Sequence, residues 1–556
     1  MLALLLISSL TQAQLPLQGS PTPYWQQTVH YDIRARLDEP TGVLGGTEQV
    51  EYINHSPDTL RTFALHLYLN AFRPGSRWAA ADSVEQRRRF NDLPDPEFGF
   101  NHVRNVRIQG QSVAPIYPFA PDSTIVRFVL PAPLAPGDSI TVNMDWDARP
   151  STLPRRQGRK GRRFDFAQWY PRVVVYDRFG WEEHPLYPAG EFYGEFGTFL
   201  VDLDLPADQV MGATGVPVCG DPGWERANAV PGRPIDYQRD WYGNAATPAM
   251  QARCAAAVAA GRKRVIWYAG DVHHFAMSLN PDYRYEEGRQ GTAVVRVLYQ
   301  PGDEKSWGGG LAVQRTETAL AWLGQLFAPF PWPQITNVHR IEGGGTEFPM
   351  MVHDGSASQG LIVHEGGHNY LMGILANNEW KEGWLDEGFT SFQTAWFQEA
   401  GGHDPGWLDD EQYILGLDLD GWSEPTSLVS EDYRDFFTYN TMIYTRGQLF
   451  LWELRSIVGD EVMRQILQTY YQRWKFKHVD EQKFMAVAEE VSHQDLSVFF
   501  AQFLHTTELY DYAVGRVKSE RTETSEKSEG AEGWTTRIEV IRKSPGMIPV
   551  DVMVVS

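Results

Sequence analysis

The stretch Leu361-Ile362-Val363-His364-Glu365-Gly366-Gly367-His368-Asn369-Tyr370 places two histidines four residues apart, with a glutamate directly after the first. Residues four apart share one face of a helix, so His364 and His368 can each direct a ring nitrogen at one ion. Neutral imidazole is a good zinc ligand, and a catalytic zinc takes three protein ligands and keeps one position open. After eighteen intervening residues, Trp384-Leu385-Asp386-Glu387-Gly388-Phe389 supplies a carboxylate, and Glu387 is read as the third ligand. It opens a second helix, which must pack on the first for the carboxylate to reach the metal. Glu365, beside the first ligand but not itself a ligand, is read as the general base.

An H-E-x-x-H pattern also arises by chance; Glu387 at this spacing is what turns the pair into a zinc centre, with one Zn2+ per chain. Gly366 and Gly367 each cost a helix interior about 1 kcal/mol relative to alanine. Two of them imply close backbone packing or room needed above the metal. Hydrolysis at such a centre would pass through a tetrahedral oxyanion, which needs a hydrogen-bond donor beyond the metal.

Outward from this stretch, helical spacing of apolar residues predicts helices over Leu311–Phe327, Gly360–Leu375, Glu387–Ala400, Met442–Val458, Glu461–Arg473, Glu481–Val491 and Asp495–Phe503. Before about Tyr285 the pattern has period two. Tyr31-Asp32-Ile33-Arg34-Ala35-Arg36-Leu37 and Phe199-Leu200-Val201-Asp202-Leu203 are examples, and they predict antiparallel strands with one face buried. The run Arg155-Arg156-Gln157-Gly158-Arg159-Lys160-Gly161-Arg162-Arg163 reads as a solvated basic loop. Strand patterning returns after Tyr512. The last strand-like run, Val550 to Ser556, suggests that the sequence stops inside a small β domain.

A chain of 556 residues exceeds one core and predicts two or three domains. A formal net charge of −22 excludes a nucleic-acid partner that binds through a broad basic surface. The N-terminal run from Met1 to Gln14 is apolar, ends in small residues and is too short to span a bilayer, so it reads as an export signal and the mature chain as free of a membrane segment. The two cysteines, Cys219 and Cys254, would either pair in an oxidising compartment or stay as free thiols.

At the residues quoted above the sequence resembles the M1 zinc metallopeptidases, the gluzincin family of aminopeptidase N and leukotriene A4 hydrolase. Trp384-Leu385-Asp386-Glu387-Gly388-Phe389 is similar to that family's Trp-Leu-Asn-Glu-Gly-Phe, with Asp386 in place of Asn. Gly344-Gly345-Thr346-Glu347-Phe348 resembles its Gly-x-Met-Glu-Asn motif, departing at Thr346 and Phe348. The likeness implies that Glu347, on the backbone of Gly344 and Gly345, binds the free α-amine of a peptide. It further implies that Tyr444 of Tyr444-Thr445-Arg446-Gly447 is the oxyanion donor. Tyr439 and Gln168 correspond to substrate-lining residues.

The implied architecture is multidomain α+β. After a signal peptide at 1–14 come an N-terminal β-saddle-like domain at 15–285 and a thermolysin-like α+β zinc domain at 286–510. The start of a C-terminal β-sandwich occupies 511–556. The implied function is an exported aminopeptidase acting on peptides with a free N-terminus. The alternatives are an endopeptidase or other hydrolase on the same centre, or a non-catalytic binding protein of the same fold.

Overall fold

Alternation over Thr28–Asp38 buries Val29, Tyr31, Ile33, Ala35 and Leu37 and leaves the intervening polar side chains outside. This strand lies near the middle of an eight-stranded sheet. The order is Val216–Cys219, Arg262–Val272, Gly197–Pro206, Thr28–Asp38, Val43–Ile53, Ser139–Arg149, Phe100–Ile108 and Gln111–Ser112. The molecule is seen in a computed structural model that describes residues 24–241, 248–522, 533–550 and 552–553. The expected signal segment and most of the expected last strand lie outside the described residues. The expectation of antiparallel pairing is corrected at one place, because Thr28–Asp38 runs parallel to Gly197–Pro206. Side-chain alternation has the same period in both pairings, so the pattern could not separate them.

A second sheet of five strands carries the site. Its strands are β1 (Arg284–Gln290), β2 (Ala293–Tyr299), β3 (Gln334–His339), β4 (Gly345–Phe348) and β5 (Met351–Asp354), in the order β1-β2-β3-β5-β4. The parallel pairs β2/β3 and β3/β5 lie inside the sheet, and β4 closes it as an antiparallel edge. Between β2 and β3 runs α1 (Leu311–Leu326), and β5 leads into α2 (Gln359–Leu371). The helices α3 (Glu387–Ala400) and α4 (Gly447–Val458) follow, with α1 against α2, α2 against α3 and α3 against α4. The helix Trp407–Leu419 carries no clean apolar stripe, with Ile414 its one buried residue, and was not foreseen.

The two helix-interior glycines of α2 have different reasons. A Cβ on Gly367 would run into the side-chain amide of Gln393 and meet Thr390 Cγ2 at 3.1 Å, both on α3. A Cβ on Gly366 would meet Ala319 and Leu323 of α1 at ordinary contact distances of 3.6 and 3.7 Å. Close approach of α2 to α3 therefore requires the second glycine and not the first. The same device joins α3 to α4, where a Cβ on Gly388 would meet backbone atoms of Gly447 at 3.0 Å.

Cys219 and Cys254 are bonded to each other and tie a strand end to the helix Pro248–Ala255. Among the described residues no helix is long and apolar enough to cross a membrane.

Candidate metal centre

Helix α2 starts at Ser358, whose hydroxyl accepts from the Leu361 amide at 3.4 Å, a side-chain cap for a backbone donor that the helix leaves unpaired. One turn further, His364 and His368 turn toward α3, whose first residue is Glu387. The three donor atoms form a near-equilateral triangle. His364 Nε2 lies 3.2 Å from His368 Nε2, and Glu387 Oε2 lies 3.4 Å from the first and 3.2 Å from the second. Ligands at about 2.0 Å from a tetrahedral zinc stand about 3.3 Å apart, so the triangle has the edge length that zinc requires. Glu387 Oε2 is buried and among the described residues has no hydrogen-bond partner, an expensive state unless a cation satisfies it. The donor set and its geometry thus fit the metal expected from the sequence.

The neighbours orient the ligands. Asp386 Oδ1 takes the Nδ1 side of His368, with Thr390 Oγ1 at 3.2 Å from the same nitrogen. This directs Nε2 at the metal position and raises the basicity of the ring. Burial lowers the affinity of His368 for a proton, yet Asp386 and Glu387 outweigh it and hold the pKa well above the usual histidine range. Burial would raise Glu387, but the two imidazoles keep its carboxyl well below the usual range. Burial pushes Glu365 well up, with Glu347 adding to the effect against the opposing pull of His368.

Glu347, on the edge strand β4, contributes an oxygen that lies within 4.8 Å of an oxygen of Glu365 and a ring nitrogen of His368. Gly344, at φ +72°, turns the chain into β4, and Arg340 donates to the carbonyls of Gly343 and Gly345. Gly345 lies directly over Glu365, where any Cβ would collide with the carboxylate. The Tyr444 hydroxyl donates to Glu387 Oε1 from a π-helical turn at Thr441–Arg446. Such turns frequently mark functional positions. Tyr439 is buried close by, its ring against Tyr433 and Phe436.

Gln168 is not brought into this set by any hydrogen bond. It is buried at φ +55°, and among the described residues both ends of its amide lack a partner.

The basic run at 155–163 is corrected from a solvated loop to a clasp. Arg155 donates to Glu342 at 2.9 Å, Arg163 to the His339 carbonyl, and Arg156 to Glu191 and Glu347 inside the site. Arg156, Glu191 and the roles of Asp386 and Glu379 were missed. The signal available for Asp386 was its place directly before Glu387; for Glu191 there was none.

A sheet edge, two packed helices and a His-His-Glu triangle with a buried glutamate beside it make a candidate site whose donors could hold a metal ion. Residues 350–503 match the family model described as peptidase family M1 domain. Leucine aminopeptidase 2 of Sclerotinia sclerotiorum is 24% identical over 231 residues, which is 37% of this chain and 38% of the relative. The leukotriene A-4 hydrolase homolog of Botryotinia fuckeliana is also 24% identical, over 37% of this chain and 35% of that protein. The matches therefore span well under half the length of these curated relatives. Among solved structures, the M1 zinc metallopeptidase of Deinococcus radiodurans superposes with a TM-score of 0.58 at 16% identity, over 87% of this chain and 94% of that one. A likeness at that identity is one of fold.

Proposed function

We propose that the protein is a zinc aminopeptidase that removes single residues from the free N-terminus of peptides. One observation carries this reading: oxygens of Glu347 and Glu365 and a nitrogen of His368 lie within 4.8 Å of one another. An extended residue spans about 3.3–3.6 Å. A peptide whose α-ammonium rests on Glu347 therefore has room for one residue before its first carbonyl reaches the metal position. Anchor and scissile bond are one residue apart.

His364, His368 and Glu387 would hold the metal, which when bound would supply Lewis acidity toward the carbonyl and the attacking water. Glu365 takes the proton of the attacking water and passes it to the leaving amine. Its burial beside Glu347 raises its proton affinity toward that of a working base. Tyr444 would turn its hydroxyl from Glu387 to the oxyanion. Glu347 fixes register by pairing with the ammonium, on a loop wired through Gly344 and Gly345. Tyr439 and Gln168 are assigned to the walls of the substrate cleft.

In this reading the chain divides at about residues 285 and 510 into a saddle-like β domain, a thermolysin-like catalytic domain and a C-terminal β region. The protein is exported, and the Cys219–Cys254 bond supports an oxidising compartment.

The test is a panel of aminoacyl chromogenic substrates and matched N-acetylated peptides, with and without a chelator. Free-amine substrates should be turned over and lose turnover on chelation. The Glu365→Gln variant should retain zinc while turnover falls by about 10²–10⁴. Equal cleavage of N-acetylated and free peptides would replace this reading with an endopeptidase. Zinc retention with no turnover of any substrate would replace it with a binding protein.

A further inference from the structure

The loop that leads into Glu347 has almost nothing of its own to hold it. Gly343, Gly344 and Gly345 follow one another; an added Cβ on Gly343 would meet nothing within 4 Å, and Gly344 sits at φ +72°. Glycine loses more backbone freedom on ordering than any other residue, so the shape of this loop has to be imposed from outside it. Arg340 imposes most of it. Its guanidinium donates to the carbonyl of Glu342 at 3.1 Å, to those of Gly343 and Gly345, and to the Thr346 hydroxyl. From the other side the Gly355 amide donates to the Gly344 carbonyl at 2.7 Å.

Arg340 is held in turn by Glu342, and Glu342 is held from the β-rich part of the chain. One carboxylate meets three donors. Arg155 Nη1 stands at 2.9 Å from Oε1, while the Arg156 backbone amide at 3.0 Å and Arg340 Nη2 at 3.3 Å share Oε2. Arg340 is buried, and Glu342 and Arg155 are partly so. The contact to Arg156 has a second consequence. It fixes a residue at φ +59°, whose guanidinium reaches Glu347 Oε1 at 3.4 Å. Glu342 therefore bears on Glu347 along two routes, through Arg340 and the glycine loop on one side and through Arg156 on the other.

We infer that Glu342 is a positioning residue for the reaction: it clamps the glycine loop, sets where the Glu347 carboxylate stands relative to the metal triangle, and makes that setting depend on the seating of the 155–163 clasp. The inference rests on the aminopeptidase reading and adds to it a residue that no sequence motif marks. Among the described residues the hydrogen-bond and ion-pair partners of the Glu342 carboxylate are these three arginines, so it acts through them. The metal ligands sit on α2 and α3 and not on the loop, so loss of Glu342 should loosen substrate and leave zinc in place. An interaction that places the substrate's anchor is felt as binding, and its loss raises KM. Slack at Gly345, above Glu365, would add a fall in kcat. A merely structural role would instead reduce the folded fraction, which lowers apparent kcat and leaves KM where it was.

The experiment is steady-state kinetics of the zinc-loaded full chain on whichever aminoacyl p-nitroanilide the wild type turns over fastest, with zinc content and melting temperature measured alongside. Glu342→Gln keeps the shape and removes the charge; KM should rise about ten- to a hundredfold, the size of one charged hydrogen bond, with zinc content unchanged. Arg155→Gln cuts only the outer tie and should raise KM about two- to fivefold, the range of a partly exposed ion pair. Adding Arg155→Gln to Glu342→Gln should change KM by less than about twofold, because the two act in series. If wild type turns over none of the p-nitroanilides, the aminopeptidase reading fails and takes the inference with it. If wild type is active and Glu342→Gln leaves KM within twofold, or the two effects multiply in the double variant, the role of Glu342 is overturned and the aminopeptidase reading stands. Should Glu342→Gln fail to fold, Arg155→Gln decides, since it lies outside the loop: a rise in KM supports the role and an unchanged KM overturns it.

Discussion

The position of Glu365 can be tested without touching it, by substituting Gly345. An alanine Cβ there would overlap Oε1, Cδ and Cγ of Glu365, and no other atoms stand among its nearest contacts. Gly345 is in ordinary strand conformation, so the backbone accepts alanine. The side chain that must move is the flexible end of Glu365, at about 0.5–1.5 kcal/mol for an off-rotamer torsion. The fold should therefore survive with a small change in stability. The chemistry should not. A misplacement of about 1 Å costs roughly 10²-fold in rate, and loss of a general base costs about 10²–10⁴, equivalent to about 2.7–5.4 kcal/mol of barrier. Gly345→Ala should thus lower kcat at least a hundredfold, with zinc content by elemental analysis and melting temperature near wild type. Gly343→Ala, where an added Cβ meets nothing within 4 Å, is the control and should be close to wild type. Turnover of Gly345→Ala within threefold of wild type would refute both the packing argument and the assignment of Glu365 as base.

Tyr444→Phe should lower kcat about 10²–10³-fold with little change in KM, since an oxyanion donor acts in the transition state; an effect confined to KM would move Tyr444 to substrate binding. In α2, Gly366→Ala should raise stability by about 0.5–1 kcal/mol because the added Cβ meets its neighbours only at ordinary contact distances. Gly367→Ala should lower stability by about 1–3 kcal/mol, because α3 occupies the space; thermal melts that reverse this order would reject the packing described. Glu48 is buried with both carboxyl oxygens unpartnered, and burial raises its pKa well above the ordinary range. A raised carboxyl contributes stability that is full below its unfolded pKa and is lost as pH rises toward the folded one. The advantage of Glu48→Gln over wild type should therefore grow above pH ~4.5 by up to about 1.4 kcal/mol per pH unit, and denaturant titrations showing a pH-independent difference would contradict it.

The convergence of the candidate ligands was legible because two short-range facts specify it: helical spacing puts His364 and His368 on one face, and Glu387 begins the next long helix. Asp386 was read as a departure from a motif, yet it is the residue that orients His368. The basic run at 155–163 shows where such reading stops. Its charge suggested solvent, but Arg155 and Arg156 are turned inward by Glu342, which lies nearly two hundred residues later in the chain. Glu191 has no local signature at all, since its place depends on Gly190 fitting against Trp380 and Ser430. The parallel pairing of Thr28–Asp38 with Gly197–Pro206 is likewise a long-range choice that alternation does not encode.

Charge gives one physical reason why these features belong together. Glu191, Glu347, Glu365, Glu379, Asp386 and Glu387 are all buried within one region. Of the nearby arginines, Arg340 is spent on Glu342 and loop carbonyls, while Arg156 reaches the acids. Burial lifts Glu365 and Glu379 well up and Asp386 to about 7, which relieves part of the excess. Among the described residues four carboxylate oxygens of this region have no hydrogen-bond partner, Glu191 Oε2, Glu365 Oε2, Asp386 Oδ2 and Glu387 Oε2. Of these, Glu387 Oε2 stands at 3.4 and 3.2 Å from the two imidazole nitrogens, which is the ligand spacing of a divalent metal. A fold that buries this many acids around a histidine pair is charged to receive a cation.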